Sequence, residues 1–489
     1  MPNDGDQDLV RATHHGGAAP RGLMAVPKSR LYEGRFGRIF RNLPIPRPAV
    51  EALTALGKAM PEERRPAATA DNPKIPAGYT YFGQFIDHDI TFDPVSDLQR
   101  FNDPDALVDF RTPRYDLDSL YGRGPSDAPF LYESEDRDFR GVKLLVGQNP
   151  PRDPADPNLN LEREDLPRNQ QGRALIGDPR NDENIIVSQL HLAFIKFHNK
   201  VVDLVRKNQK ALAGSELFEE ARRLVTWHYQ WAVVHDFLPI VAGDAVVNDV
   251  LANGRAFFDW RDEPFMPVEF SVAAFRFGHS MIRPSYDLNQ GVPARPIFSG
   301  KAQPGPRDQL AGFRRLPSDW TIDWSRFVEM GAVQPQPSRK INIRLARPLM
   351  KLPTSVNRDR NALPVLNLIR GQALQLPSGQ SVAKRMGETP LPRSDLGLAK
   401  LTGLRAADRT PLEKDTPLWF YVLQEADVNE NGDRLGPVGG RIVAEVLIGL
   451  LEGDPNSFLS VEPQWKPGGV PARKAGEFTL ADLLTFATR

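Results

Sequence analysis

The chain has 489 residues with 62 basic and 62 acidic side chains, a balance that leaves no electrostatic footprint for nucleic acid or an anionic membrane. Cysteine is absent, which excludes disulfides, thiolate metal sites and a thiol nucleophile, and no run approaches the ~18 apolar residues of a membrane span. Without a Gly/Ser-rich linker, the chain reads as one catalytic unit, 35–489, behind an irregular N-terminal arm, 1–34.

In chain order, the first strong signal is Phe82–Thr91. If this stretch is helical, Gln84 and His88 share a face, while Asp87 and Asp89 sit about 100° to either side of the histidine. One acid can then serve the pocket of His88 and the other a site behind the helix. At Gly177–Glu183, Arg180 and Glu183 are spaced to point into one pocket. From Asp182 to Lys207, apolar residues at Ile186, Leu190, Phe194, Phe197, Val201 and Val205 predict a helix capped by Asn181 or Asp182. A second helix is predicted from Glu216 to Phe237, before Pro239. A third, Val268–Ile282, carries Val268, Val272, Phe275, His279 and Ile282 on one stripe and stops at Pro284. Leu345–Ile369 predicts two shorter helices, and Gly436–Leu451 one more. Strand signals are short and sparse, so the fold class is mainly α, a single large helical domain with long, proline-stiffened connections.

Only eight histidines are present. His14 and His15 read as solvated, and His191, His198, His228 and His235 as hydrogen-bonded packing residues on helices. His279 interrupts an apolar stripe directly after Gly278. It is either a core histidine or an axial haem ligand, which needs apolar walls and one hydrogen bond to its other nitrogen. Asp427–Gly432 copies the first half of an EF-hand loop, but Val438 stands where the closing Glu belongs, so the segment is read as a turn. Asp87-His88-Asp89 lacks the companion ligands of a hydrolase metal site.

Taken together these clusters resemble the animal-type haem peroxidases of the peroxidase-cyclooxygenase superfamily, in a bacterial-type member, over Ala77–Leu451. Gly83–Asp89 matches the distal helix, Arg180–Glu183 the distal arginine and glutamate, Phe275–His279 the proximal helix and Leu366–Arg370 the proximal asparagine motif. The resemblance implies that His88 shuttles a proton across hydrogen peroxide, that Arg180 stabilises charge as the O–O bond breaks, and that Gln84 holds distal water and the small-anion site. It implies that His279 ligates the haem iron and donates from its other nitrogen to Asn367, and that Arg370 meets a propionate. Asp87 and Glu183 match the acids that form ester links to haem b, whereas Asn184 stands where the myeloperoxidase branch has a vinyl-bonded methionine. Asp89, with Thr112, the Arg114 carbonyl, Asp116 and Asp118 of the loop Thr112–Gly122, matches the calcium site.

The function so implied is oxidation, by hydrogen peroxide and through a ferryl state, of iodide, thiocyanate, bromide or phenolic donors, in keeping with a response to oxidative stress. The competing fatty-acid dioxygenase reading needs a tyrosine three residues before the proximal histidine, where this chain has Arg276. A catalytically dead haem-binding domain is disfavoured by the presence of Gln84, His88, Arg180 and His279 together. The expected location is cytoplasmic, or outside the cell by a non-classical route, because no classical export signal is seen.

Overall fold

The computed structural model describes residues 9–10, 26–27, 34–64, 66–91, 108–109, 112–148, 164–260, 263–301, 303–331, 333–353 and 361–488. His14, His15 and most of the proposed arm lie outside these residues. The helices are α1 (Val50–Lys58), α2 (Gly78–Ile90), α3 (Asp118–Tyr121), α4 (Ile185–Asn208), α5 (Gly214–Ala232), α6 (Leu238–Ala242), α7 (Asp244–Asn253), α8 (Val268–Ser271) and α9 (Gly278–Met281). They continue as α10 (Leu363–Ala373), α11 (Gly379–Met386), α12 (Ala406–Lys414), α13 (Leu418–Glu430), α14 (Pro437–Glu452), α15 (Phe458–Val461) and α16 (Leu480–Thr488). Strands among the described residues are short and form small sheets of two or three, as expected for a mainly helical domain.

Helix α2 is the centre of the fold. Phe82, Phe85, Ile86 and Ile90 have no exposed surface, and Phe85 stacks on Phe194 of α4 with ring centroids 4.3 Å apart. A helix covered on nearly all sides must direct its polar residues at internal sites. Helix α4 packs against α2, α5 and α16, and the α8–α9 segment is supported by α13 and α14.

Several predicted boundaries move, each for a local reason. Asn184 caps α4 by accepting from the Ile186 and Val187 N–H groups, because Asp182 is committed to Arg168 at 2.6 Å and Asn181 to His88. The predicted 216–237 helix passes into a π-turn, Val233–Phe237, and runs on through Pro239, which is tolerated in the first turn of α6. The single helix predicted over 268–282 is broken into α8, a 3₁₀ turn at Ala274–Phe277, and α9. Phe270 and Phe275 stack at 4.6 Å, and residues five apart on a straight helix point about 140° away from each other, so the stack requires the break. Of the two helices predicted over 345–369, the first is only a 3₁₀ turn, Arg347–Met350. Asp427–Glu430 belongs to the end of α13, and the turn is confined to Asn431 and Gly432, at φ 54° and 70°.

Candidate active site

The predicted site residues form two walls, one from α2 and the Pro179–Asp182 turn, the other from the Ala274–Met281 segment and α10. On the first, His88 is 5 % exposed and its Nδ1 lies 2.8 Å from Asn181 Oδ1. The Gln84 side-chain amide donates to Glu183 and accepts from Asn184 Nδ2 at 3.1 Å. Arg180 is held by Asp178 at 2.8 Å, and its Nη2 donates to the His88 carbonyl at 3.0 Å and to the Thr91 carbonyl. Arg180 is therefore a clamp on the C-terminal end of α2 as well as a charge beside the pocket. Gln84 is tied to Glu183 and Asn184, a pairing its assignment to distal water did not include.

On the second wall, Arg276 Nη1 donates to Asn367 Oδ1 at 2.8 Å, and Asn367 Nδ2 lies 2.8 Å from His279 Nδ1. The amide therefore donates to His279, which reverses the expected direction. Arginine has donors only, so it claims the carbonyl end of Asn367. That oxygen has two lone pairs, and a rotation of the amide that presents it to a protonated Nδ1, while keeping Arg276, is what metal ligation through Nε2 requires. Trp419 of α13 secures the same segment by donating from Nε1 to the Arg276 carbonyl at 3.1 Å.

The charges of the two walls act on one another. Burial raises the Asp87 carboxyl above its usual value, and Arg180 and Arg276 from the two walls oppose that rise. Glu183 is pushed up to about 7, first by burial and further by Asp178 and Asp87, against Arg180. His279 is pushed down to about 3 by burial and by Arg276, which keeps it a neutral imidazole. Burial, helped by repulsion from the buried Arg370, lowers Arg276 to about 10.

Behind α2, one oxygen from each of Asp89, Asp116 and Asp118 lies within 4.8 Å of the others. Asp89 accepts from Ser119 Oγ at 2.9 Å, and Thr112 Oγ1 donates to Asp116 at 2.7 Å. Leu117, at φ 57°, and Tyr115 are buried, so the loop alternates apolar and acidic side chains. Asp87 and Asp89 thus serve opposite sides of α2, as their angular separation predicted.

The four helix histidines are packing residues. His198 contacts the Tyr121 hydroxyl at 3.0 Å and the Val142 carbonyl at 2.8 Å, His228 the Leu224 carbonyl at 2.7 Å, and His235 lies on Trp231 at 3.9 Å. His191 differs, because Asn181 Nδ2 lies 3.0 Å from its Nδ1 and joins it to His88. Neither Asn181 nor His191 carried a sequence signal for this role. Helical spacing does not extend through the 3₁₀ turn Pro179–Asp182 that brings them together.

The profile described as "Animal haem peroxidase" matches residues 97–302, which include Arg180, Glu183 and His279. Myeloperoxidase of Mus musculus is 26 % identical over 306 residues, covering 57 % of this chain and 39 % of that protein. A peroxidase-like protein of Margaritifera margaritifera is 28 % identical over 253 residues, covering 42 % and 32 %. The chain thus matches well under half the length of these relatives. Among solved structures, peroxidase A from Dictyostelium discoideum superposes with a TM-score of 0.61 at 15 % identity, covering 93 % of this chain and 92 % of that one. A fatty acid alpha-dioxygenase from Oryza sativa superposes at 0.56 and 16 % identity, covering 91 % and 79 %. The structural likenesses establish the fold. Over residues 97–302 the chain is similar to the animal haem peroxidases, and its fold is shared with the superposed peroxidase and dioxygenase structures.

The similarity to animal haem peroxidases implies haem, and the residues fit it. A Cβ added at Gly278 would meet nothing within 4 Å, so open space lies beside the segment that carries His279. Gln84, Asp87, Arg180, Glu183, Arg276 and His279 all remain partly uncovered, although Phe85, Ile86 and Phe277 beside them are buried. Arg276 and Arg370 supply positive charge suited to two propionates, and the desolvated carboxyls of Asp87 and Glu183 favour their neutral forms, suited to an apolar macrocycle.

Proposed function

We propose that this protein is a haem peroxidase that reduces hydrogen peroxide and oxidises iodide, thiocyanate, bromide or phenolic donors. The observation that carries the reading is His88, backed by Asn181 and flanked by Arg180 and Gln84, together with the His279–Asn367–Arg276 chain whose charge reaches Asp87 on the same helix. His279 would hold the iron, Arg370 a propionate, and Asp87 and Glu183 the ring methyls through ester links. Bound there, haem supplies a redox-active iron that takes up the oxidising equivalents of peroxide and passes them to a reductant. The chain's own part is proton handling and charge. His88 takes the proton from one peroxide oxygen and returns it to the other as water departs. The Arg180 guanidinium offsets negative charge on that departing oxygen. Gln84 keeps Glu183 in place and orders the small-molecule side of the pocket.

Arg276 argues against lipid oxygenation, because a guanidinium bound to Asn367 cannot form the radical that a tyrosine at this position would provide. Purified protein with haem and peroxide should oxidise iodide, thiocyanate and bromide, with little chloride turnover because Asn184 forms no vinyl link. Oxygen-electrode traces with a polyunsaturated fatty acid should stay flat. Sustained uptake, or chloride turnover rivalling bromide, rejects this assignment.

Glu183→Gln tests the acid. Because Glu183 is raised from 4.5 to about 7, the folded state holds its proton over a range where the unfolded chain has lost it. Haem-free wild type should therefore lose roughly 3 kcal/mol as pH rises from about 4.5 to about 7, and Glu183→Gln should not. The same variant should leave more haem extractable by acidified solvent after peroxide treatment. Parallel stability profiles for the two proteins would contradict the first expectation, and unchanged extraction the second.

Asp89, Thr112, the Arg114 carbonyl, Asp116 and Asp118 would hold calcium, a hard cation suited to converging oxygens that otherwise repel one another. Chelation should lower the melting temperature and, because Asp89 adjoins His88, slow the reaction with peroxide. Elemental analysis showing fully active protein without calcium would refute this.

A further inference from the structure

His88 is the first member of a buried polar chain. Its Nδ1 lies 2.8 Å from Asn181 Oδ1, and Nδ2 of the same amide lies 3.0 Å from His191 Nδ1. Asn181 and His191 are 0 % exposed, and the edge of His191 meets the ring of Phe85 at 6.0 Å, so no bulk water competes for these bonds. An amide has two unlike ends, since the oxygen only accepts and the nitrogen only donates. With Oδ1 turned to His88, the proton of a neutral His88 ring is on Nδ1, and Nε2 keeps its lone pair. With Nδ2 turned to His191, Nδ1 of that ring must accept. The orientation of one amide thus sets the tautomers of two histidines.

We propose that Asn181, oriented by His191, is a positioning residue that locks His88 in the tautomer with Nδ1 protonated, so that Nε2 is the basic nitrogen offered to peroxide. The proposal rests on the reading of His88 as the proton carrier. Reversed polarity, with His191 donating to Oδ1 and Nδ2 donating to His88, would place the proton on Nε2 and remove the base. Burial holds His191 neutral, its imidazole pushed down to about 3, so one ring nitrogen is free to accept, and the Asn181 Nδ2 contact makes that nitrogen Nδ1. The backbone holds Asn181 as well. Its N–H donates to the Asp178 carbonyl at 3.1 Å, within the turn that the Asp178 side chain caps by accepting from the Arg180 N–H. One short turn therefore delivers both the Arg180 charge and the His88 tautomer.

The test uses haem-free full-length protein with isotopically labelled histidine at fixed pH, where proton–nitrogen correlation spectra report which ring nitrogen carries the proton. His88 is assigned by comparison with His88→Ala. Wild type should show His88 protonated at Nδ1. Asn181→Val should shift it to the Nε2-protonated form, which free histidine favours. Asn181→Asp should retain Nδ1 protonation because a carboxylate also accepts, and His191→Phe should give a mixture. In haem-loaded protein, Asn181→Val should lower kcat/KM for peroxide about 10–100-fold at unchanged haem content, with recovery in Asn181→Asp. An Nε2-protonated His88 in wild type, or an unchanged tautomer in Asn181→Val, overturns the proposal. Should Asn181→Val fail to fold, the wild-type and His191→Phe spectra decide it. A wild type that loads haem yet never consumes peroxide overturns the peroxidase reading instead, and the haem-free spectra report on the tautomer regardless.

Discussion

His88→Ala should retain haem yet react with hydrogen peroxide about 10²–10⁴-fold more slowly, the usual value of a positioned acid–base group. Haem retention is expected because His88 lies on a different wall from His279, and its removal leaves the His279–Asn367 and Asn367–Arg276 bonds in place. The change is local. Phe85 and Ile86, which seat α2 in the core, are untouched, and the side chain lost is the one bonded to Asn181 at 2.8 Å. Stopped-flow mixing with peroxide, followed at the haem absorption band, measures the effect. A rate within a few-fold of wild type would remove His88 from the chemistry.

Much of this site was legible because its residues lie on one helix or in one short turn. The i, i+4 relation of Gln84 and His88, and the opposed directions of Asp87 and Asp89, follow from helical geometry once Gly78–Ile90 is known to be helical. The pairing of Arg180 with Glu183 survived although their segment is a 3₁₀ turn, since residues three apart share a face in either helix. What could not be read depended on distant partners. The sense of the His279–Asn367 bond is set by Arg276 across 91 residues, and the cap of α4 moved to Asn184 because its nearer candidates were bound elsewhere. His191 looked like a packing histidine, and it is one. Its importance lies in the single bond to Asn181, which no periodicity marks.

Arg180→Ala should damage both stability and chemistry, and the two losses have separate causes. Asp178 is fully buried, and Arg180 supplies its 2.8 Å ion pair. Removing one partner of a buried pair leaves a desolvated charge and typically costs about 3–5 kcal/mol. The same guanidinium donates to the His88 and Thr91 carbonyls, so the end of α2 that carries His88 and Asp89 also loses its clamp. Chemical denaturation of haem-free protein should therefore show a large loss for Arg180→Ala. Adding Asp178→Asn should recover a substantial part, since it removes the buried charge and keeps an oxygen to accept from the N–H of residue 180. The reaction with peroxide should not recover with it. A positioned charge that stabilises a departing oxygen is worth about 10²–10³-fold in rate, and the double variant still lacks that charge. Full kinetic rescue by Asp178→Asn would mean that Arg180 serves the pocket only as a structural clamp, and an Arg180→Ala protein as stable as wild type would mean that it is no clamp at all.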